Sequence, residues 1–326
     1  MIVPSFWAEA RRQIRRGNRQ ITVRRWGWSD TSEADAQAMA EARADEALAL
    51  AQTDNTVERR ERKVAYNGAQ GVPIREEVLE RHGDTVITRN AYGAKCLNTP
   101  DVLFADVDFD TALPRGLYVA ALCLLAAVVL LPARWLLGSW GWLAFGLVAV
   151  LGTAPLAHLL QRLNLARQGG PQAAAMARLR AFLQDQPAWA VRVYRTPAGL
   201  RLLATQGPIA PGSEQAQAFF NAVGADPLYV RMCENQHCYR ARLTGKPWRM
   251  GIEKHVRPRP GVWPVSADRM PVRQAWVRHY DTRAQDFAAC AWIETVGSGV
   301  VHPAVQPVVD LHDNLSQALQ PGKPLA

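Results

Sequence analysis

Residues 116–160 read GLYVAALCLLAAVVLLPARWLLGSWGWLAFGLVAVLGTAPLAHLL, and Arg134 is the one formal charge among them. A bilayer core takes about 20 apolar residues in helical form, within a range of roughly 17–25. The stretch is long enough for two such helices if it folds back near 132–134, so it predicts a transmembrane helical hairpin with spans 116–132 and 136–160. Gly138, Gly141, Gly146 and Gly152 are expected to let the two helices approach closely. A hairpin buried in a soluble core would show a polar face, and neither span has one. Trp135, Trp140 and Trp142 gather near the turn, as aromatic residues do at a membrane boundary.

The flanks set an orientation. Arg115 precedes the first span, and Arg162 and Arg167 follow the second. Basic flanks stay on the cytoplasmic side. The expectation is therefore a multi-pass protein of the bacterial inner membrane with both termini cytoplasmic. Residues 1–10 run straight into Arg11, Arg12, Arg15 and Arg16 without the apolar core of a signal peptide. Five scattered cysteines do not read as a disulfide framework.

The hairpin divides the chain into an N-terminal part, 1–115, and a C-terminal part, 161–326. Residues 1–116 hold 17 Lys/Arg against 18 Asp/Glu, whereas residues 161–326 hold 20 against 11. The basic excess lies beyond the apolar stretch, so that part suits anionic lipid, nucleic acid or a phosphorylated small molecule. Residues 6–14 read as an amphipathic helix, fit for a membrane surface or for its own domain. A strand over 20–26 and an alanine-rich helix up to about Ala51, capped by Asp30 or Ser32, come next. The Gly-bearing loop 66–73 fits no phosphate-loop pattern and leads to a helix over 74–81. Strands are expected at 85–90 and 92–97.

The polar cluster of most interest is Asp101-Val102-Leu103-Phe104-Ala105-Asp106-Val107-Asp108-Phe109-Asp110. Side chains alternate along a strand, so Asp106, Asp108 and Asp110 share a face. Crowded carboxylates raise one another's pKa unless a cation intervenes, and hard oxygen ligands suit Mg²⁺ or Mn²⁺. The plainer reading is a strand that ends at Val107 with solvated aspartates after it. Past the apolar stretch come a helix over 172–184 and a hairpin, 189–196 and 200–205, around Pro197-Ala198-Gly199. A strand–crossover–strand connection would set this hairpin beside 102–109 and bring Arg195 and Arg201 toward Asp106 and Asp108.

Phe104-Ala105-Asp106-Val107-Asp108, followed by a helix and a hairpin, resembles the palm-like core of archaeo-eukaryotic primases. Diguanylate cyclases carry a similar Asp-x-Asp-Phe. The resemblance implies metal-dependent nucleotidyl transfer, with Asp106 and Asp108 on the metal. The histidine of the second primase motif is replaced by Arg201, a third carboxylate motif is missing, and so is the cyclase signature loop. The stretches 87–93, 98–106 and 241–249 also resemble a set of uncharacterised bacterial transmembrane proteins, which supplies no activity.

Ser213 and Gly224 bracket a helix as its caps. Cys233 and Cys238, with His237, have a zinc-like look, but a closed zinc site needs four ligands and no second pair follows. Residues 239–264 are densely basic, with Arg240, Arg242, Lys246 and Arg249 interleaved with Tyr239 and Trp248. Arginines among aromatics suit phosphates and stacked bases, or anionic headgroups. A strand at 276–280, a helix over 282–296 and a last helix from Pro303 complete the chain. That last helix carries Asp310, His312 and Asp313, read as a cap and a polar face rather than a catalytic pair.

The fold class expected is an α/β domain with a palm- or ferredoxin-like sheet, interrupted by the transmembrane hairpin. Two functions follow. One is a membrane-anchored binding or regulatory protein with a basic surface for phosphate-bearing partners. The other is a metal-dependent enzyme on nucleotides or nucleic acid, with Asp106 and Asp108 on Mg²⁺ or Mn²⁺ and Arg201, Arg242, Lys246 and Arg249 on phosphates.

Overall fold

β1 (Phe6–Arg16) and β2 (Arg19–Ser29) pair antiparallel in unbroken register, from Phe6↔Ser29 to Arg16↔Arg19. The helix expected over 6–14 is thus a strand, because a full ladder to β2 outweighs the helical spacing of four apolar residues. The computed structural model that shows this describes residues 3–16, 19–53, 58–59, 72–109, 113, 115–130, 132, 135–136, 138–259, 261 and 263–326. Across the pair lies α1 (Glu33–Thr53), the alanine-rich helix, capped by Ser32, whose Oγ accepts from Asp35 N at 3.1 Å. Ala36, Ala40, Ala44, Ala47 and Ala51 form its buried stripe against Ala8, Ala10, Ile21 and Val23. Small side chains let the helix lie close on the strands, and a Cβ at Gly27 would collide with Ala36 O and Ala40 N.

Two four-stranded sheets form the rest of the core. The first runs β3 (Glu77–His82), β4 (Thr85–Arg89), β5 (Lys95–Thr99), β9 (Tyr239–Arg242). The second runs β10 (Ala291–Gly297), β7 (Ala190–Arg195), β8 (Gly199–Ala204), β6 (Phe104–Asp108). All named pairings are antiparallel. β5–β9 and β6–β8 each join a strand before the apolar stretch to one after it. The expected neighbourhood of 102–109 and the 191–204 hairpin is therefore present, with Asp106 opposite Arg201. One cluster of buried residues runs from Ile87 and Leu97 through Phe104, Val193 and Leu202 to Phe219 and Val308, so the two sheets share a core.

Helices cover the second sheet. α4 (Pro171–Asp185) packs with α5 (Glu214–Val223), and Phe182, Trp189 and Phe219 form one aromatic group between them. α5 has the expected caps: Ser213 Oγ accepts from Ala216 N, and Gly224 turns out at φ 70°. α6 (Pro227–Gln236) is capped by Asp226. Arg192 and Tyr194, on the side of β7 away from Val191 and Val193, meet the last helix, α8 (Gln306–Ser316).

Three other expectations fail. Residues 74–81 do not form a helix, because β3 pairs with β4 from Glu77 onward. Residues 276–280 lie inside a helix, α7 (Met270–Ala284), where Arg273, Trp276, Tyr280 and Ala284 repeat every three or four residues and are buried. The helix expected over 282–296 is the end of α7 and then β10, whose register shift between Trp292 and Glu294 hides the strand alternation.

The apolar stretch forms an arm. α2 (Arg115–Leu125) continues through a π turn to Leu130, and α3 (Gly141–Arg167) packs against it. The two-span transmembrane hairpin is corrected here. Among the described residues one helix, 138–167, is long and apolar enough to cross a membrane. The other, Arg115–Val129, is about 22 Å long at 1.5 Å per residue, short of a hydrocarbon core of about 30 Å. The multi-pass inner-membrane placement falls with it. Of the glycines expected to seat the helices, Gly152 does lie against Leu125, whereas Gly138 and Gly146 face open space. Residues 133–134 of the expected turn, most of the loop 66–73, and Asp110 lie outside the described residues.

Candidate anion-binding site beside a buried ion pair

Asp106 and Arg201 face each other across β6 and β8. Arg201 Nε donates to Asp106 Oδ1 at 2.9 Å and Nη2 to Oδ2 at 3.4 Å, while Nη1 donates to the Arg242 carbonyl at 2.8 Å. The Arg201 side chain is 3% exposed. Both carboxylate oxygens of Asp106 are thus held by a guanidinium, which does for its charge what a metal ion would do. Arg242 also turns inward, donating to the Thr244 and Ala326 main-chain oxygens at 3.0 and 2.9 Å. Two of the four expected phosphate-binding cations, Arg201 and Arg242, are therefore committed to the fold.

The other two, Lys246 and Arg249, are half-buried. Asp108 ends β6, and its carboxyl is raised by burial and by Asp106 and Asp226, against the opposing pull of Lys246 and Arg249. Lys246 caps, and Arg249 ends, a short 3-10 turn, Pro247–Arg249. Burial lowers both, and so does repulsion from Arg242 and, for Lys246, from Arg249. Three cations crowd one another here, with Asp108 as partial compensation. Between them Trp248 is about half exposed, packed edge-on against Tyr92 and His255, with Lys246 Nζ 5.6 Å from its ring centroid. A ring and two underpaired cations on one short turn can hold a phosphate and the group attached to it.

Metal ligation has less to work with. Among the described residues no group of three or more His, Cys, Asp and Glu side chains is placed to hold an ion. Cys233 and Cys238 are both buried, and burial pushes both thiols up, Cys238 to about 11. His237 stands at the left-handed C-cap of α6. This is a helix terminus with neutral thiols, a poor start for zinc, which binds thiolate.

A second polar cluster corrects the reading of His312 and Asp313 as a polar helix face, since both are buried, and it includes Cys290 and Ser316, which the sequence reading did not connect with them. Cys290 Sγ lies 3.8 Å from His312 Nε2 and 3.5 Å from Ser316 Oγ, and His312 Nδ1 lies 3.0 Å from Asp313 Oδ1. Arg192 Nη2 donates to Asp313 Oδ2 at 2.6 Å. Phe104 and Tyr194 rings close over the imidazole, and Cys290, His312 and Ser316 are fully buried. The residue types are those of a nucleophilic triad, but no solvent reaches the sulfur, so here they tie α8 to the sheet. The signal was available: Val305, Val308, Val309, His312 and Ser316 follow the spacing of a buried helix stripe.

The cluster carries a pH signature. Burial raises Asp313, but the hydrogen bonds from His312 and Tyr194 and the charges of His312 and Arg192 outweigh it, leaving it below the usual carboxylate range. Its stabilisation is present above the unfolded carboxylate value and is lost as pH falls through the depressed folded one. Burial opposes the His312 imidazolium, yet Cys290 and Asp313 hold it above the ordinary histidine value, while His312 and Arg201 lower Cys290 against its burial. A raised histidine loses stabilisation as pH rises, and a lowered thiol loses it as pH falls, so the two offset near neutrality. The urea stability of the full chain should be flat through neutral pH and drop on the acid side. Asp313→Asn should remove that acid step, and an unchanged step would assign it to other carboxylates.

Comparison with known protein families, with curated proteins and with solved structures finds no match to this chain.

Proposed function

We propose that the protein is a membrane-attached binding protein whose Lys246–Arg249 turn takes a phosphate-bearing ligand. The crowding of Arg242, Lys246 and Arg249 carries this reading: burial and mutual repulsion pull Lys246 and Arg249 down, and an added phosphate would relieve that repulsion. Exposed Trp248 supplies an apolar wall beside them. The long apolar helix 138–167, which is almost wholly uncovered by the rest of the protein, supports attachment. The metal-dependent transferase reading has less support, since Arg201 already occupies the oxygens of Asp106.

Calorimetric titration of the full chain with pyrophosphate tests the proposal. A charged hydrogen bond contributes about 1.5–3 kcal/mol, so Lys246→Ala and Arg249→Ala should each weaken binding roughly tenfold or more. Added Mn²⁺ should not be required. Equal affinity of wild type and the double variant would remove the site.

A further inference from the structure

The apolar arm leaves the domain and returns to it at one place. The ring of Phe109, just past β6, lies 4.8 Å from the Arg195 guanidinium. Arg195 Nη1 in turn donates to Gln172 Oε1, at the start of α4, at 3.1 Å. One side chain therefore clasps the chain just before the arm and just after it, and the β6–β8 pairing joins the strand before the arm to one after it. Whatever receives the arm must accept its entry and its exit on one face.

The arm is uncovered on both limbs. α3 exposes Leu143, Leu147, Val150 and Leu151, an apolar face by their spacing. α2 exposes Val119 and Leu122. A groove on a protein partner would cover one such face, whereas lipid chains surround both. Charge returns at the root. Arg162 and Arg167 lie on the last turns of α3. Asp108, whose carboxylate feels the charges of Lys246 and Arg249, is the last residue of β6, seven residues before α2 begins at Arg115. A short length of chain thus ties the candidate phosphate site to the foot of the arm, and exposed Trp248 is of the residue type that membrane interfaces favour.

We propose that the arm dips into one face of an anionic bilayer and returns through the same face, and that the phosphate seated on Lys246 and Arg249 belongs to a phospholipid headgroup. This rests on the reading of that turn as a phosphate site. The short limb, at about 22 Å, is shorter than a hydrocarbon core of about 30 Å, which favours a one-sided arm over a full crossing. Basic side chains near an anionic surface strengthen attachment additively, and salt weakens the effect.

The test uses the full chain with phosphatidylcholine vesicles, with and without phosphatidylglycerol. Binding should depend on phosphatidylglycerol, and the Lys246→Gln/Arg249→Gln double variant should lose roughly thirtyfold of it, with a shallower salt dependence. Lys246→Ala/Arg249→Ala serves as a second pair, and both are checked for wild-type circular dichroism. Cys123, the one exposed cysteine of the five and a residue of α2, gives a native position for a spin label, which should be reached by oxygen and not by a water-soluble nickel chelate. A maleimide sealed inside the vesicles should fail to label Ser139→Cys near the tip. Labelling there would show a full crossing and overturn the one-sided arm. If the variants lose pyrophosphate binding but keep wild-type vesicle binding, the lipid inference fails and the phosphate site stands. If they keep both, the phosphate site fails and the inference with it.

Discussion

Asp106→Asn is expected to destabilise the protein by about 3–5 kcal/mol, the usual cost of removing one partner of a buried ion pair. Arg201 keeps its charge under all conditions and is 3% exposed, so the variant leaves a guanidinium facing a neutral amide inside the sheet. Arg201→Leu should cost less, since Asp106 is 27% exposed and water can reach the carboxylate it leaves behind. Joining the two substitutions should recover part of the loss, and a double-mutant cycle in urea measures the coupling. If Asp106 served only as a metal ligand, its amide variant would instead spare stability in the absence of metal. A change below about 0.5 kcal/mol would restore that reading.

Excising the arm should leave a folded domain that no longer binds vesicles. Among the described residues between 115 and 167, Ala121 and Ala157 alone are buried, so little of the arm contributes to the core. Its two ends already meet through Arg195. A Gly/Ser linker of about eight residues reaches roughly 16 Å and would replace the arm between Phe109 and Gln172, whose side chains both touch Arg195. Near-ultraviolet circular dichroism and the thermal midpoint should stay close to those of the full chain, while vesicle flotation falls to background. Loss of the tertiary signal would mean that the arm holds the sheets together.

The parts legible in the sequence were those whose local chemistry agrees with their tertiary setting. Strand 104–108, the 190–204 hairpin and helix 214–223 each carry a pattern and a terminating residue that point the same way. Pairing Asp106 with Arg201 followed from placing those strands together. The failures lie where partners decide. β1 has a helix-like spacing and is a strand because β2 pairs with all of it. β10 loses its alternation to a bulge. That error also hid the role of Cys290: its partner His312 sits in an element read correctly, but the residue leading into β10 was assigned to a helix. The cations at Arg201, Arg242, Lys246 and Arg249 look alike in sequence, and the hydrogen bonds of Arg201 to Asp106 and of Arg242 to main-chain oxygens set these two apart from the others.

The clasp at Arg195 also bears on the order in which the molecule assembles. Asp106 and Arg201 are 95 residues apart, so β6 emerges from synthesis long before the strand that pairs with it. Until then it presents an unpaired edge next to an apolar segment, a combination that invites aggregation. Docking α2 on α3 draws residues 109 and 172 together and leaves roughly 30 residues of slack between the strands, which lowers the closure entropy by about 1 kcal/mol. A surface that favours the docked arm would then act as a chaperone for the sheet. Refolding should proceed several-fold faster in the presence of vesicles than in plain buffer, with the arm-deleted chain indifferent to them.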